Sequence, residues 1–105
     1  MQKIRLSDND LEALKDCFKK HFLDNDKLWI FGSRVETQKK GGDIDLYIET
    51  SVPTRVEAIK IRSNFIWDLE QCIGEQKIDV VLSLINDPYP LPIHKIALST
   101  GVRII

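Results

Sequence analysis

With 105 residues the chain is a single domain, long enough to bury roughly two-thirds of its unfolded surface and too short for a second independent core. Its composition, 43% hydrophobic and 30% charged, is ordinary for a globular protein, and no apolar run approaches the roughly 18 residues of a membrane span. The 15 basic and 16 acidic residues leave a net charge of −1, which gives no general attraction to a polyanion and excludes a long nucleic-acid template as the expected partner.

The N-terminal residues turn polar at Ser7-Asp8-Asn9-Asp10 before a signal-peptide apolar core could develop, so the cytoplasm is the expected location. Ser7 offers an N-cap, the early acidic residues suit the positive end of a helix dipole, and Leu11, Leu14, Phe18 and Phe22 recur at helical spacing; a first helix is predicted near 8–23. Leu28-Trp29-Ile30-Phe31 is a short apolar run stopped by Gly32, which reads as a buried strand entering a turn, with Ser33 capping a short helix. Residues 36–42 carry no apolar side chain and end in Gly41-Gly42, a loop where backbone can approach a ligand closely. The next stretch, 43–49, alternates polar and apolar as a half-buried strand does.

Pro53 fits the first turn of a long helix to about Ile73, with Val56, Ile59, Phe65, Ile66, Leu69 and Ile73 inward and Gly74 as its stop. That helix would cross between strands. Lys77-Ile78-Asp79-Val80-Val81-Leu82 reads as a third strand, and Pro88, Pro90 and Pro92 force an extended connection before a last helix near 93–99. Gly101 then releases Val102-Arg103-Ile104-Ile105 as a terminal edge strand. The alternation of helix and strand places the chain in the α/β class, as one domain over 1–105.

The chemistry concentrates in three segments. On a strand, Asp43 and Asp45 point to the same face with backbones roughly 7 Å apart, a spacing that suits a shared divalent metal, while Ile44, Leu46 and Ile48 bury the other face beneath them. Asp79 is an acid in an otherwise apolar strand, where a buried carboxylate without partners costs several kcal/mol unless it neutralises or binds a cation. Should that strand pair beside 43–49, Asp79 would complete an all-oxygen site of the kind Mg²⁺ prefers, with room for two metals. The backbone N–H groups after Gly32, the Ser33 hydroxyl and the Arg34 charge form an anion site for the outer phosphates of a nucleoside triphosphate. Asp79 is then available to take a proton from an attacking hydroxyl.

Other residues read more plainly. Lys39 and Lys40 are solvated loop lysines or phosphate contacts, His94 is structural, and Tyr47 is a half-buried strand tyrosine unless it borders the nucleotide. Cys17 and Cys72 fall within predicted helices and read as buried free thiols without a His or Cys at metal-ligand spacing, and so without chemistry.

Phe31-Gly32-Ser33-Arg34 with Gly42-Asp43-Ile44-Asp45-Leu46, followed by Ile78-Asp79-Val80-Val81, resembles the DNA polymerase β-type nucleotidyltransferase superfamily. It is most similar to the minimal nucleotidyltransferases encoded beside HEPN-domain partners in prokaryotic toxin–antitoxin pairs. The resemblance runs from Leu28 to Gly101. It implies a small mixed β-sheet flanked by helices, Gly32, Ser33, Arg34 and Gly42 at the nucleotide, Asp43 and Asp45 on two Mg²⁺ ions, and Asp79 as third ligand or base. Nine residues separate Ser33 from Asp43, one fewer than in many members, and Gly42 stands where a Ser usually precedes the first Asp. What the resemblance implies is an enzyme that transfers AMP from ATP to a hydroxyl, a tyrosine of a HEPN toxin, and so acts as an antitoxin. The alternative is an antitoxin that neutralises its toxin by occlusion without turnover, and oligomers are possible in either case.

Overall fold

The computed structural model describes residues 6–31, 44–74, 77–86 and 101–105. The elements over these residues are helix α1 (Asp8–His21), strand β1 (Lys27–Phe31), strand β2 (Ile44–Thr50), helix α2 (Arg55–Ile73), strand β3 (Ile78–Leu84) and strand β4 (Val102–Arg103). The predicted helix near 93–99 lies outside the described residues.

Local chemistry sets the helix ends. The Ser7 hydroxyl accepts the Asp10 N–H at 3.1 Å, Asp8 and Asp10 sit at the positive end of the dipole, and Phe22 closes α1 by donating its N–H to the Phe18 carbonyl. Thr54 caps α2 by accepting the Glu57 N–H at 3.2 Å. Pro53 therefore precedes the cap instead of filling the first helical turn. Gly74 ends α2 at φ 91°, a conformation glycine adopts without the penalty other residues meet.

The strands form one mixed sheet in the order β3-β2-β1-β4, with β1 antiparallel to β2 and β4 and with β2 parallel to β3. A parallel neighbour needs a crossover, and α2 supplies it. The β4 pairing confirms the terminal edge strand, extended by Ile104 N–H to Leu28 O at 2.8 Å.

Period-two alternation divides the sheet into two faces. Ile44, Leu46 and Ile48 of β2, Leu28 and Ile30 of β1, and Ile78, Leu82 and Leu84 of β3 join Leu14, Phe18 and Phe22 of the first helical region and Ala58, Phe65 and Leu69 of α2 in one core. Phe65 stands at its centre, edge-on to Phe18 at 6.3 Å and to Phe22 at 5.6 Å. The inward face of α2 differs from the predicted one: Val56 is 66% exposed and Ile59 41%. At about 100° per residue Val56 stands roughly 180° around the helix from Phe65, so the two cannot share a face. The other sheet face carries a smaller cluster of Phe31, Tyr47, Trp29 and Val81. Among the described residues no helix is long and apolar enough to cross a membrane.

Candidate active site

The second sheet face ends in a row of register partners. Phe31 of β1 is opposite Asp45 of β2, and Asp45 is opposite Asp79 of β3. Two aspartates from segments 34 positions apart in the sequence thus stand on adjacent strands, about 4.8 Å apart at the backbone. The floor beneath them is rigid, since the flanking Ile44 and Ile78 belong to the core and Ile44 N–H donates to Lys77 O at 2.9 Å.

Asp45 is half-buried and Asp79 is exposed. The exposure of Asp79 corrects the expectation of an acid buried in an apolar strand: β3 is the sheet edge, and the face on which Asp79 lies is away from the helices. Desolvation therefore does not account for this carboxylate. Its position beside Asp45 places two carboxylates at neighbouring register positions on one face of the sheet. Their donors are hard carboxylate oxygens on one side of the sheet, which fits a divalent cation of the Mg²⁺ class completed by phosphate oxygens and water.

Behind the carboxylates lies an aromatic wall. Trp29 and Tyr47, register partners, have ring centroids 5.3 Å apart, and the Arg103 guanidinium lies over the Trp29 ring at 5.8 Å. Tyr47 is 2% exposed, more deeply buried than a half-buried strand residue, and burial raises its phenol pKa, with a Ser83 hydrogen bond opposing and the Glu49 charge adding. Its hydroxyl therefore stays protonated at physiological pH.

Gly32, Ser33, Arg34, Gly42 and Asp43 lie outside the described residues, as do Lys39, Lys40 and His94. What the structure does bring together is the frame on which the motif hangs. Phe31, which the chain follows with Gly32, and Asp45, which it precedes with Asp43-Ile44, are directly paired. The Gly-Ser segment and the D-x-D segment are thus tethered to the same end of two neighbouring strands.

The expectation for the cysteines needs correction. Cys72 is exposed rather than buried, and Cys17, which is buried, faces it across the two helices with Asp68 between the same elements. Their signal in the sequence is Cys17-x₃-His21 on α1 and Asp68-x₃-Cys72 on α2, each pair one helical turn apart on one face.

No curated protein matches the chain. The family model of the nucleotidyltransferase domain matches it over residues 11–102.

Proposed function

Because the chain belongs to the nucleotidyltransferase domain family, matched over nearly its whole length, we propose that it transfers a nucleoside monophosphate, AMP from ATP, to a hydroxyl acceptor. The observation that carries this reading is the pairing of Asp45 with Asp79 in parallel register on one face of the sheet, at the end where the D-x-D and Gly-Ser segments are tethered. In this proposal the acceptor is a tyrosine of a partner HEPN toxin and the modification silences it, an antitoxin role suggested by the resemblance of the motif to minimal nucleotidyltransferases.

The roles follow from position. Gly32, Ser33 and Arg34 bind the outer phosphates, with Gly42 letting backbone approach the nucleotide. Asp43 and Asp45 are the residues that would hold divalent metal against the triphosphate, two Mg²⁺ ions being the expectation, and Asp79 touches the acceptor side as third ligand or base. Metal bound there supplies neutralisation of phosphate charge and a fixed orientation. The acceptor hydroxyl oxygen attacks the α-phosphorus, its proton passes to the Asp79 carboxylate, and the bond from the α-phosphorus to the bridging oxygen breaks as pyrophosphate leaves. Exposure of Asp79 suits this role, since the acceptor must reach it from solvent.

Mixing the protein with partner, ATP and Mg²⁺ tests the proposal by mass spectrometry. A partner mass increase of one AMP, abolished in Asp45→Ala and lowered about 10²–10⁴-fold in rate by Asp79→Asn, is the expected result. Neutralisation of the partner that persists in Asp45→Ala without ATP would replace transfer by occlusion.

A further inference from the structure

On the helical layer, across the sheet from Asp45 and Asp79, lies a cluster of side chains of metal-ligating type. We propose that Cys17, Asp68 and Cys72, at the contact between α1 and α2, bind one thiophilic divalent cation of the zinc class, with His21 holding the Asp68 carboxylate in place. One ligand atom from each of the three lies within 4.8 Å of the others. A tetrahedral zinc site with bonds of about 2.0–2.3 Å has ligand-to-ligand edges of about 3.3–3.8 Å, so the three donors need to draw together by no more than about 1.5 Å.

The arrangement has more of a metal centre than three adjacent donors. His21 Nε2 lies 2.9 Å from Asp68 Oδ2, the imidazole–carboxylate pairing that orients ligands from outside the first shell of metal sites. A carboxylate offers two oxygens and about four lone-pair positions, so this bond leaves Asp68 able to ligate. Lys20 Nζ stands 3.4 Å from the same oxygen. Two thiolates and a carboxylate around a divalent cation carry one net negative charge, which Lys20 beside Asp68 balances. Exposure of Cys72 gives the ion a route in and leaves the fourth position to water.

The donor chemistry separates this centre from the carboxylate site. Thiolates select zinc-class ions, whereas Mg²⁺ takes oxygen donors. Binding must displace both thiol protons to solvent as the cation takes their place at the sulfurs, so it releases protons and weakens as pH falls. Burial, and then Cys72, holds the Cys17 thiol protonated in the metal-free chain. The same protonated state makes Cys17 a poor nucleophile for spontaneous disulfide formation with Cys72. The ion would clamp α1 to α2, whose contact underlies the core around Phe65.

Titration of the full chain with Co²⁺ tests the proposal, after metal has been removed by chelation and the thiols kept reduced with a thiol-free reductant. A thiolate-to-cobalt charge-transfer band is expected, saturating near one equivalent, displaced by Zn²⁺, and accompanied by a rise in melting temperature. Cys72→Ser, at an exposed position, should abolish the band, and His21→Ala should weaken Co²⁺ binding about 10–100-fold. Asp45→Ala, which alters only the carboxylate site, should show the same thiolate-to-cobalt band as wild type, so failure of nucleotidyl transfer and failure of this centre are distinguishable. Absence of the band in the reduced wild type, its persistence in Cys72→Ser, or a chain that responds only by forming a Cys17–Cys72 disulfide on oxidation would each overturn the proposal.

Discussion

Asp26 shows what a single buried charge does in this chain. It is 1% exposed, and its carboxylate accepts the Leu23 N–H at 3.0 Å, the Thr50 hydroxyl at 2.6 Å, the Ser51 N–H at 2.9 Å and the Ser51 hydroxyl at 3.2 Å. It thereby joins the turn after α1 to the end of β2, and Thr50 passes the link on by accepting the Val52 N–H. Bonds to a charged acceptor contribute about 1.5–3 kcal/mol, and truncation orphans several buried donors at once. Asp26→Ala should therefore cost about 3 kcal/mol or more in denaturant unfolding, and a loss under about 1 kcal/mol would show that water replaces the carboxylate. Nothing in the sequence marks Asp26 among the acids around it. Leu23 is three positions away, but Thr50 and Ser51 lie 24 and 25 positions away, and only the β1–β2 pairing brings them close.

Cys17 makes a second case at this scale. Its folded pKa is raised from 9.0 to about 12, so the unfolded chain releases the thiol proton first as pH rises. The contribution to stability is fully present below pH 9 and is lost progressively between about 9 and 12. In metal-free unfolding from about pH 8 to 11, wild type should lose stability more steeply than Cys17→Ala, which lacks the Cys17 thiol. Parallel curves would mean that the thiol ionises freely in the folded protein. The juxtaposition of Cys17 with Cys72 was illegible for the same reason as the Asp26 network: spacing along a helix is written in sequence, whereas the meeting of two helices is a product of packing. The Cys17-x₃-His21 and Asp68-x₃-Cys72 spacings were present but divided between segments 47 positions apart.

At the scale of elements, α2 shows why an apolar count misassigns a face. Val56, Ile59, Ile61, Phe65, Ile66, Trp67, Leu69 and Ile73 spread around the helix, and any stripe drawn through them gathers several members. The structure selects Ala58, Phe65 and Leu69 for full burial and leaves Val56 and Trp67 outward. Phe65→Ala should cost about 3–5 kcal/mol, because it empties the ring cluster with Phe18 and Phe22. Val56→Ala should stay within about 0.5 kcal/mol. Equal costs by thermal melting would mean that the exposed face of α2 is covered in solution. The strands were easier to read than this helix, because a period of two allows only two faces: Ile44, Leu46 and Ile48 went to the core as the alternation required. Burial of Asp79 was misread for a related reason, since a run of β-branched residues looks the same in a central strand and in an edge strand whose apolar neighbours pack only one side.

Among the described residues the sheet is completed by a strand distant in sequence from its neighbour, β4 against β1. β1 lies between β2 and the terminal β4, so it has no free edge while residues 101–105 are in place. Three backbone bonds join Leu28 to Ile104 and Ile105, at 2.8, 3.1 and 3.2 Å, and Val102, Ile104 and Ile105 pack against the core. Arg103 at the same time covers the Trp29 ring on the face that carries the carboxylate row. Removing residues 101–105 would strip these bonds and apolar contacts together and bare the edge of β1, whose sequence Lys-Leu-Trp-Ile-Phe has four apolar residues in five. The expected loss is at least about 2 kcal/mol, a fall in melting temperature of roughly 8–15 °C for a chain of this size, with self-association that grows with concentration as exposed β1 edges pair. Light scattering and melting measured at several concentrations would read both effects. A shortened chain that melts like wild type and stays monomeric would mean that β4 decorates the sheet instead of completing it, and that the wall behind Asp45 and Asp79 stands without Arg103.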